Sequence, residues 1–211
     1  MDQRDRGSGL ELARLSASAR VVDAGLWNPH WSIHKFHDHR DRVAKAGRQG
    51  LPMAYLMENF ELIEPPLKMF GNCLLNEGIN EVWSLVAGTG GVKFDAGNAY
   101  IGVGDDATAA DPTDTALKGA ANAGTHKLYV AMDGSYPTYG TSQKTTWRST
   151  FTTAQANFHW QEITVANGDA DDHDNLNRKV QDMGTNQEPE WVLSAEASGS
   201  TWIPTLEVTL T

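Results

Sequence analysis

Along the end of the chain, Trp202, Pro204, Leu206, Val208 and Leu210 take one parity and Ile203, Thr205, Glu207 and Thr209 the other. That alternation predicts a strand with one buried face over residues 201–211. Pro204 within it has no N–H to give a ladder, so the strand is expected to lie at an edge or carry a bulge. Shorter runs of the same kind predict strands at 99–104, 126–133, 145–151, 156–166, 177–183 and 190–197, separated by clusters of Gly, Asp, Asn, Ser and Pro. Residues 72–88 follow a different period. Leu75, Ile79, Val82, Trp83 and Val86 share one helical face, with Asn72 as an expected cap and Gly88 as an expected stop. One amphipathic helix followed by many short strands predicts a mainly β domain, an antiparallel β-sandwich or barrel-like fold over 71–211.

The first seventy residues hold no steady period. Leu10, Leu12, Ala13 and Leu15 give a short helical pattern near 10–19, too short to be stable alone. From 21 to 70, prolines recur at 29, 52, 65 and 66 among the aromatics Trp27, Trp31, Phe36, Tyr55, Phe60 and Phe70. Such a stretch is too apolar for a free linker. It reads either as an extended N-terminal arm laid on another surface, with aromatic anchors, or as a segment wrapping its own domain. On the arm reading, the contact residues are Trp27, Trp31, His34, Lys35, Phe36, Arg40, Arg42, Tyr55 and Phe60. Deleting 1–60 should then leave a folded β-domain that has lost its partner.

Charge sharpens this division. The net charge of the 211 residues is −10. Residues 1–50 carry nine Lys/Arg against six Asp/Glu, a net of +3, and the rest eight against twenty-one, a net of −13. An acidic body repels phosphates, which argues against nucleic acid as a direct partner, while a basic segment suits an acidic protein surface. No apolar run approaches the ~20 residues needed to cross a bilayer, and the opening MDQRDRGSG lacks the apolar stretch of a secretion signal. With a single cysteine, Cys73, no intrachain disulfide forms.

Candidate chemistry is sparse. "IHKFHDHRD" (33–41) crowds three histidines together, but the spacing of His30 and His34 suits a helix and that of His37 and His39 a strand, with no cysteine nearby, so polar contact residues are a better reading than a zinc site. "GDADDHDN" (168–175) starts like a calcium loop through Asp169, Asp171 and His173. Asp174 and Val180 then stand where that frame needs glycine and glutamate, leaving an acidic hairpin loop. "GTGGVK" (88–93) and "GVGDDA" (102–107) lack the spacing of phosphate-binding loops and read as turns. No nucleophile frame is present, and nothing calls for a cofactor or metal.

One ordered set of motifs is more specific: the N-x-L-L-N-x-G-I opening at 72–79, I-G-V-G-D at 101–105, T-W-x-x-T-F at 146–151, A-N-F-x-W at 156–160 and L-N-R-K at 176–179, with W-S-I-H-K at 31–35 upstream. This order resembles a family of virion structural proteins of tailed double-stranded DNA bacteriophages, labelled head decoration, minor capsid or tail fibre. The likeness covers roughly 70–211 and brings no catalytic residues. It implies a structural protein rather than an enzyme. The expected role is a capsid decoration, or cement, protein made in the host cytoplasm. It would sit on the outer head surface, docked by its arm on the major capsid protein as a homotrimer or another cyclic oligomer, without a membrane. The alternative is a tail or head fibre component that binds host glycan, with exposed aromatics such as Tyr136 and Tyr139 at loop tips.

Overall fold

The computed structural model describes residues 27–120, 125–140, 142–185 and 198–210. The predicted helix near 10–19 and the predicted strand at 190–197 lie outside them. Ten strands and three helices follow in the order β1 (Trp27–His39), α1 (Arg42–Arg48), α2 (Met53–Asn59), β2 (Leu67–Phe70), β3 (Cys73–Leu74), α3 (Asn76–Ala87), β4 (Tyr100–Gly104), β5 (Lys127–Ala131), β6 (Thr138–Tyr139), β7 (Lys144–Arg148), β8 (His159–Ala166), β9 (Asn177–Thr185) and β10 (Ser198–Leu210). They form two antiparallel five-stranded sheets, β2-β1-β10-β7-β6 and β3-β9-β8-β4-β5. The mainly β, antiparallel sandwich read from the sequence is the fold.

The inner faces meet in one apolar core. Trp31, Ile33, Met69, Trp147, Leu206 and Val208 come from the first sheet, and Ile101, Val103, Trp160, Ile163 and Val165 from the second. Trp160 packs edge-on against Trp202 and Phe151, with centroids 4.7 and 4.8 Å away. A smaller core lies on the outer face of the first sheet, where Val43, Ala46 and Leu56 of α1 and α2 cover Phe36 and Ile203.

The division at residue 70 needs correcting. β1 is not an arm: it pairs with β10 along its whole length, Trp27 opposite Leu210 to His39 opposite Ser198, and with β2 on its other side. Residues 27–70 thus belong to the domain that the sequence reading began at 71. The alternation is present in β1 but changes hand. Trp31 and Ile33 point into the main core while Ser32 and His34 point out. At 35 and 36 the apolar position switches, because α1 and α2 bury the outer face there and Phe36 turns towards them. Lys35 then lies on the inner side, over the Trp202 ring at 4.0 Å, with its ammonium donating to the Met183 carbonyl at 2.8 Å.

Pro204 also departs from expectation, since β10 is an inner strand. It stands opposite Ser149, which donates to the Pro204 carbonyl at 3.4 Å. The return bond would need a proline N–H, so the regular ladder with β7 stops at Arg148 and resumes at the Phe151–Trp202 bridge. The short α1 is fixed from outside: the buried Asp38 carboxylate accepts from the Val43 and Ala44 amides, both at 2.9 Å, and from the Thr201 hydroxyl at 2.7 Å.

Candidate binding surfaces

The nine residues expected to form a contact arm separate into three environments. Trp31, Lys35 and Phe36 are buried and hold the domain together. His34 is half-buried on the outer face of β1, whereas Trp27 is half-buried on the inner side, packed against the main core, with its indole donating to Asn72 at 3.4 Å. Arg40, Arg42 and Tyr55 are exposed around α1 and α2, and the Arg42 guanidinium lies 5.7 Å from the Phe60 ring. α1 adds the exposed Lys45 and Arg48, and the same segment also carries the exposed acids Asp41, Glu58 and Glu61.

Beyond α2 the outer face of the first sheet is open. Because β1 is a strand, His30, Ser32 and His34 share one side of it, a geometry the helix-spacing argument for His30 and His34 missed. Opposite them stand Glu207, Thr205 and Ile203 of β10, then Thr146 and Arg148 of β7. Two adjoining clefts of about 420 and 290 Å³ follow this face and share His30 and Glu207. One is aromatic, lined by Trp27, Pro29 and Phe70. The other is lined by Met53 and Tyr136 together with Ser32, His34, Lys68, Thr146 and Arg148. Phe70 is 72% exposed and stacks on His30, rings 4.6 Å apart and 7° from parallel. Burial holds the His34 pKa below its ordinary value, and the charges of Lys68 and Arg148 add to this, so the imidazole is neutral at pH 7.

α3 presents a second surface. It starts at Asn76 with Leu75 at its cap position, not Asn72, and ends at Gly88 in the left-handed conformation, φ 69°. Of its apolar stripe, the buried Leu75 and the half-buried Ile79 at its start reach the domain; the rest of the fastening is polar. Gly78 lies against the backbone of Leu176, where an added Cβ would come within 2.5 Å of Leu176 Cα. Glu77 accepts from the Asn175 amide at 2.6 Å and from its side chain at 3.2 Å, and the buried Glu81 accepts from the Val92 amide. Val82, Trp83 and Val86 are left 38%, 63% and 71% exposed. The glycine-rich turn 88–92 thus wraps the carboxylate of its own Glu81.

The resemblance motifs fall mainly in the scaffold. In L-N-R-K, Arg178 is buried and donates to Glu162 at 2.7 Å and Asp114 at 3.0 Å. Glu162 also accepts from the Lys118 and Gly119 amides at 3.0 and 2.7 Å. In I-G-V-G-D, Gly104 leaves room for the Glu162 side chain. In T-W-x-x-T-F, the buried Arg148 donates to Asp133 at 2.7 Å and to the carbonyls of Leu51 and Gly47. Burial raises the Asp133 pKa to about 6 although Arg148 and Thr150 pull it down. Sequence reading missed both ion pairs, whose members lie 15 and 16 residues apart; Glu162 and Arg178 meet through the pairing of β8 with β9, and Asp133 reaches Arg148 from the loop after β5.

The 168–175 segment closes the β8–β9 hairpin. Asn167 and Asp174 exchange hydrogen bonds of 3.0 and 2.9 Å, and Asp171 turns away to pair with Lys127. No group of three or more His, Cys, Asp or Glu is placed to hold a metal ion among the described residues. No helix among them is long and apolar enough to cross a membrane. Compared with known proteins, the chain matches no family model, no curated protein and no solved structure.

Proposed function

We propose that this chain is a structural component of a tailed-bacteriophage virion, a decoration protein that sits on the outer head surface and reinforces the shell. The observation that carries the reading is the role of the motif residues. Gly78, Gly104, Trp147, Arg148, Phe151, Trp160 and Arg178 pack cores and neutralise buried charge. Five sequence blocks spent on rigidity, with buried charges tied up in ion pairs, fit a protein built to be held in place. Docking on the major capsid protein falls to the exposed Arg40, Arg42, Lys45, Arg48 and Tyr55 of the α1–α2 segment, whose cations suit an acidic partner. The proposal includes no reaction and no cofactor. Quantitative mass spectrometry of purified particles tests it: hundreds of copies per particle are expected, and absence from the particle would refute it.

The open outer face favours a second reading, a tail or head fibre component that binds host glycan. Phe70 offers a flat ring in the same cleft as the Thr209 hydroxyl and the Lys144-paired Glu207 carboxylate, with the hydroxyls of Ser32 and Thr205 in the adjoining cleft, a mix of stacking and hydrogen bonding that suits a sugar. Of the two tyrosines expected at loop tips, Tyr139 is 90% exposed, whereas Tyr136 packs on Arg148 at 4.3 Å. This reading expects binding on a glycan array that Phe70→Ala abolishes, together with only a few copies per particle.

A further inference from the structure

We infer that the outer face of the first sheet takes an acidic glycan, whose anionic group sits at Lys68, Ser32 and Thr205 while a neighbouring sugar ring lies on Phe70. The inference rests on the glycan reading and names its ligand class.

Strand register sets the side chains of this face in rows. Phe70, His30, Glu207 and Thr146 form one row across β2, β1, β10 and β7, and Lys68, Ser32, Thr205 and Arg148 form the next. Neighbours within a row stand about 5 Å apart, and the rows are about 7 Å apart, two residues along a strand. The flat ring of Phe70 and the ammonium-bearing Lys68 therefore belong to one edge of the same grid, with the hydroxyls of Ser32 and Thr205 beside the lysine. Together the two clefts over these rows have the size of an ordinary small-ligand site, ~300–1,000 Å³.

The charges on the grid are not equally available. Arg148 is spent within the protein, on Asp133 and on the carbonyls of Leu51 and Gly47. Glu207 is held by Lys144 at 2.9 Å. Lys68 is exposed and pairs with no carboxylate among the described residues. On a chain of net charge −10, the smaller cleft thus keeps one cation uncompensated and no bare carboxylate. An anionic oxygen there gains the Lys68 charge together with hydroxyl donors, the stronger kind of hydrogen bond. On either side of Ser32, His30 Nε2 and His34 Nδ1 have no hydrogen-bond partner among the described residues. No protein group fixes either nitrogen, so both rings are free to turn to a ligand oxygen. A neutral sugar engages Phe70 and the hydroxyls but leaves Lys68 unanswered. A simple anion engages Lys68 and leaves the 72% exposed Phe70 bare. A glycan bearing a carboxylate or sulfate uses both, and the Glu207 carboxylate is left to accept from its hydroxyls.

The test uses the full chain on a printed array of sialylated, uronic acid-containing and sulfated oligosaccharides, each beside its carboxyl-reduced or desulfated counterpart. The chain is expected to bind acidic members at least about tenfold more tightly than their neutral counterparts, as one charge-assisted hydrogen bond gives. Whether the carboxylated or the sulfated members bind identifies the anionic group. Lys68→Met should erase that preference and keep the weaker binding to neutral members, whereas Phe70→Ala should remove both. Lys93→Met, at an exposed lysine outside both clefts, should change neither. Lys68 and Phe70 are both exposed, and an unchanged far-UV circular dichroism spectrum verifies folding. Equal binding of acidic and neutral members, or a preference that survives Lys68→Met, overturns the inference and leaves the glycan reading standing. Binding to no sugar on the array overturns both.

Discussion

Removing residues 1–60 distinguishes a tether from a structural strand. A tether could be cut away without harm to the rest. In this fold the cut removes β1 from the interior of a five-stranded sheet, leaving β10 unpaired along the thirteen residues it shared with β1. It also strips Trp31, Ile33 and Phe36, all fully buried, from the two cores. At ~1.5–3 kcal/mol for each large apolar side chain, the loss is about 5–9 kcal/mol before any hydrogen bond is counted. The unfolded chain already hides some apolar surface, so this is an upper estimate. It still matches the ~5–15 kcal/mol that usually separates folded from unfolded domains. The truncated chain should therefore show no cooperative thermal transition by circular dichroism and a collapsed amide spectrum by NMR. Ile33→Ala in the full chain provides a graded check, with an expected loss of ~2–5 kcal/mol in urea unfolding. A truncated chain that melts cooperatively, within ~2 kcal/mol of the full one, would refute the reasoning, because ordinary domain stability leaves no room for that outcome.

Other perturbations probe the interior. Trp202→Ala should cost ~3–5 kcal/mol by opening a cavity beside Trp160 and uncovering Lys35; a loss under ~0.5 kcal/mol in denaturant unfolding would place the ring at the surface. Arg178→Met leaves Glu162 buried without its cation and should cost ~3–5 kcal/mol, whereas the paired change Arg178→Met with Glu162→Gln should recover part of that loss. For His34, the folded pKa lies below the ordinary 6.5, so just below pH 6.5 the unfolded chain gains a proton that the folded chain does not. Its contribution is whole above pH 6.5 and falls as the pH drops towards the folded pKa. Asp133, raised to about 6, acts with the opposite sign, so the difference between wild type and His34→Gln is the quantity to read. Urea melts of the two should diverge as pH is lowered from about 7.5 to 5.5, which spans the imidazole range, with the wild type losing more.

The sequence was most readable where short runs of β-forming residues stand between turn-forming clusters, and β4, β5, β7, β8, β9 and β10 all appear within a few residues of their predicted positions. β1 was misread because both faces are covered at Lys35 and Phe36 and the inner position there is a lysine, which breaks a period-two signal without breaking the strand. Pro204 was misread because only one missing hydrogen bond separates an inner strand from an edge, and the sequence does not say which neighbour faces the proline nitrogen. α3 was located by its stripe, but periodicity cannot reveal that Gly78, Glu77 and Glu81 would hold the opposite side to the domain. The groove on the outer face was invisible for a related reason. His30, Phe70 and Glu207 come from three strands, and their closeness is a property of pairing alone.

The claim on which the account turns is that the chain from Trp31 to Phe36 belongs to the core of its own domain. Amide hydrogen exchange of the isolated chain measures this most directly. The account predicts that the amides of Trp31 to Phe36 exchange only as slowly as those of Ile163 to Val165 in β8, through global unfolding. Exchange of the β1 amides within seconds, while β8 stays protected, would contradict it.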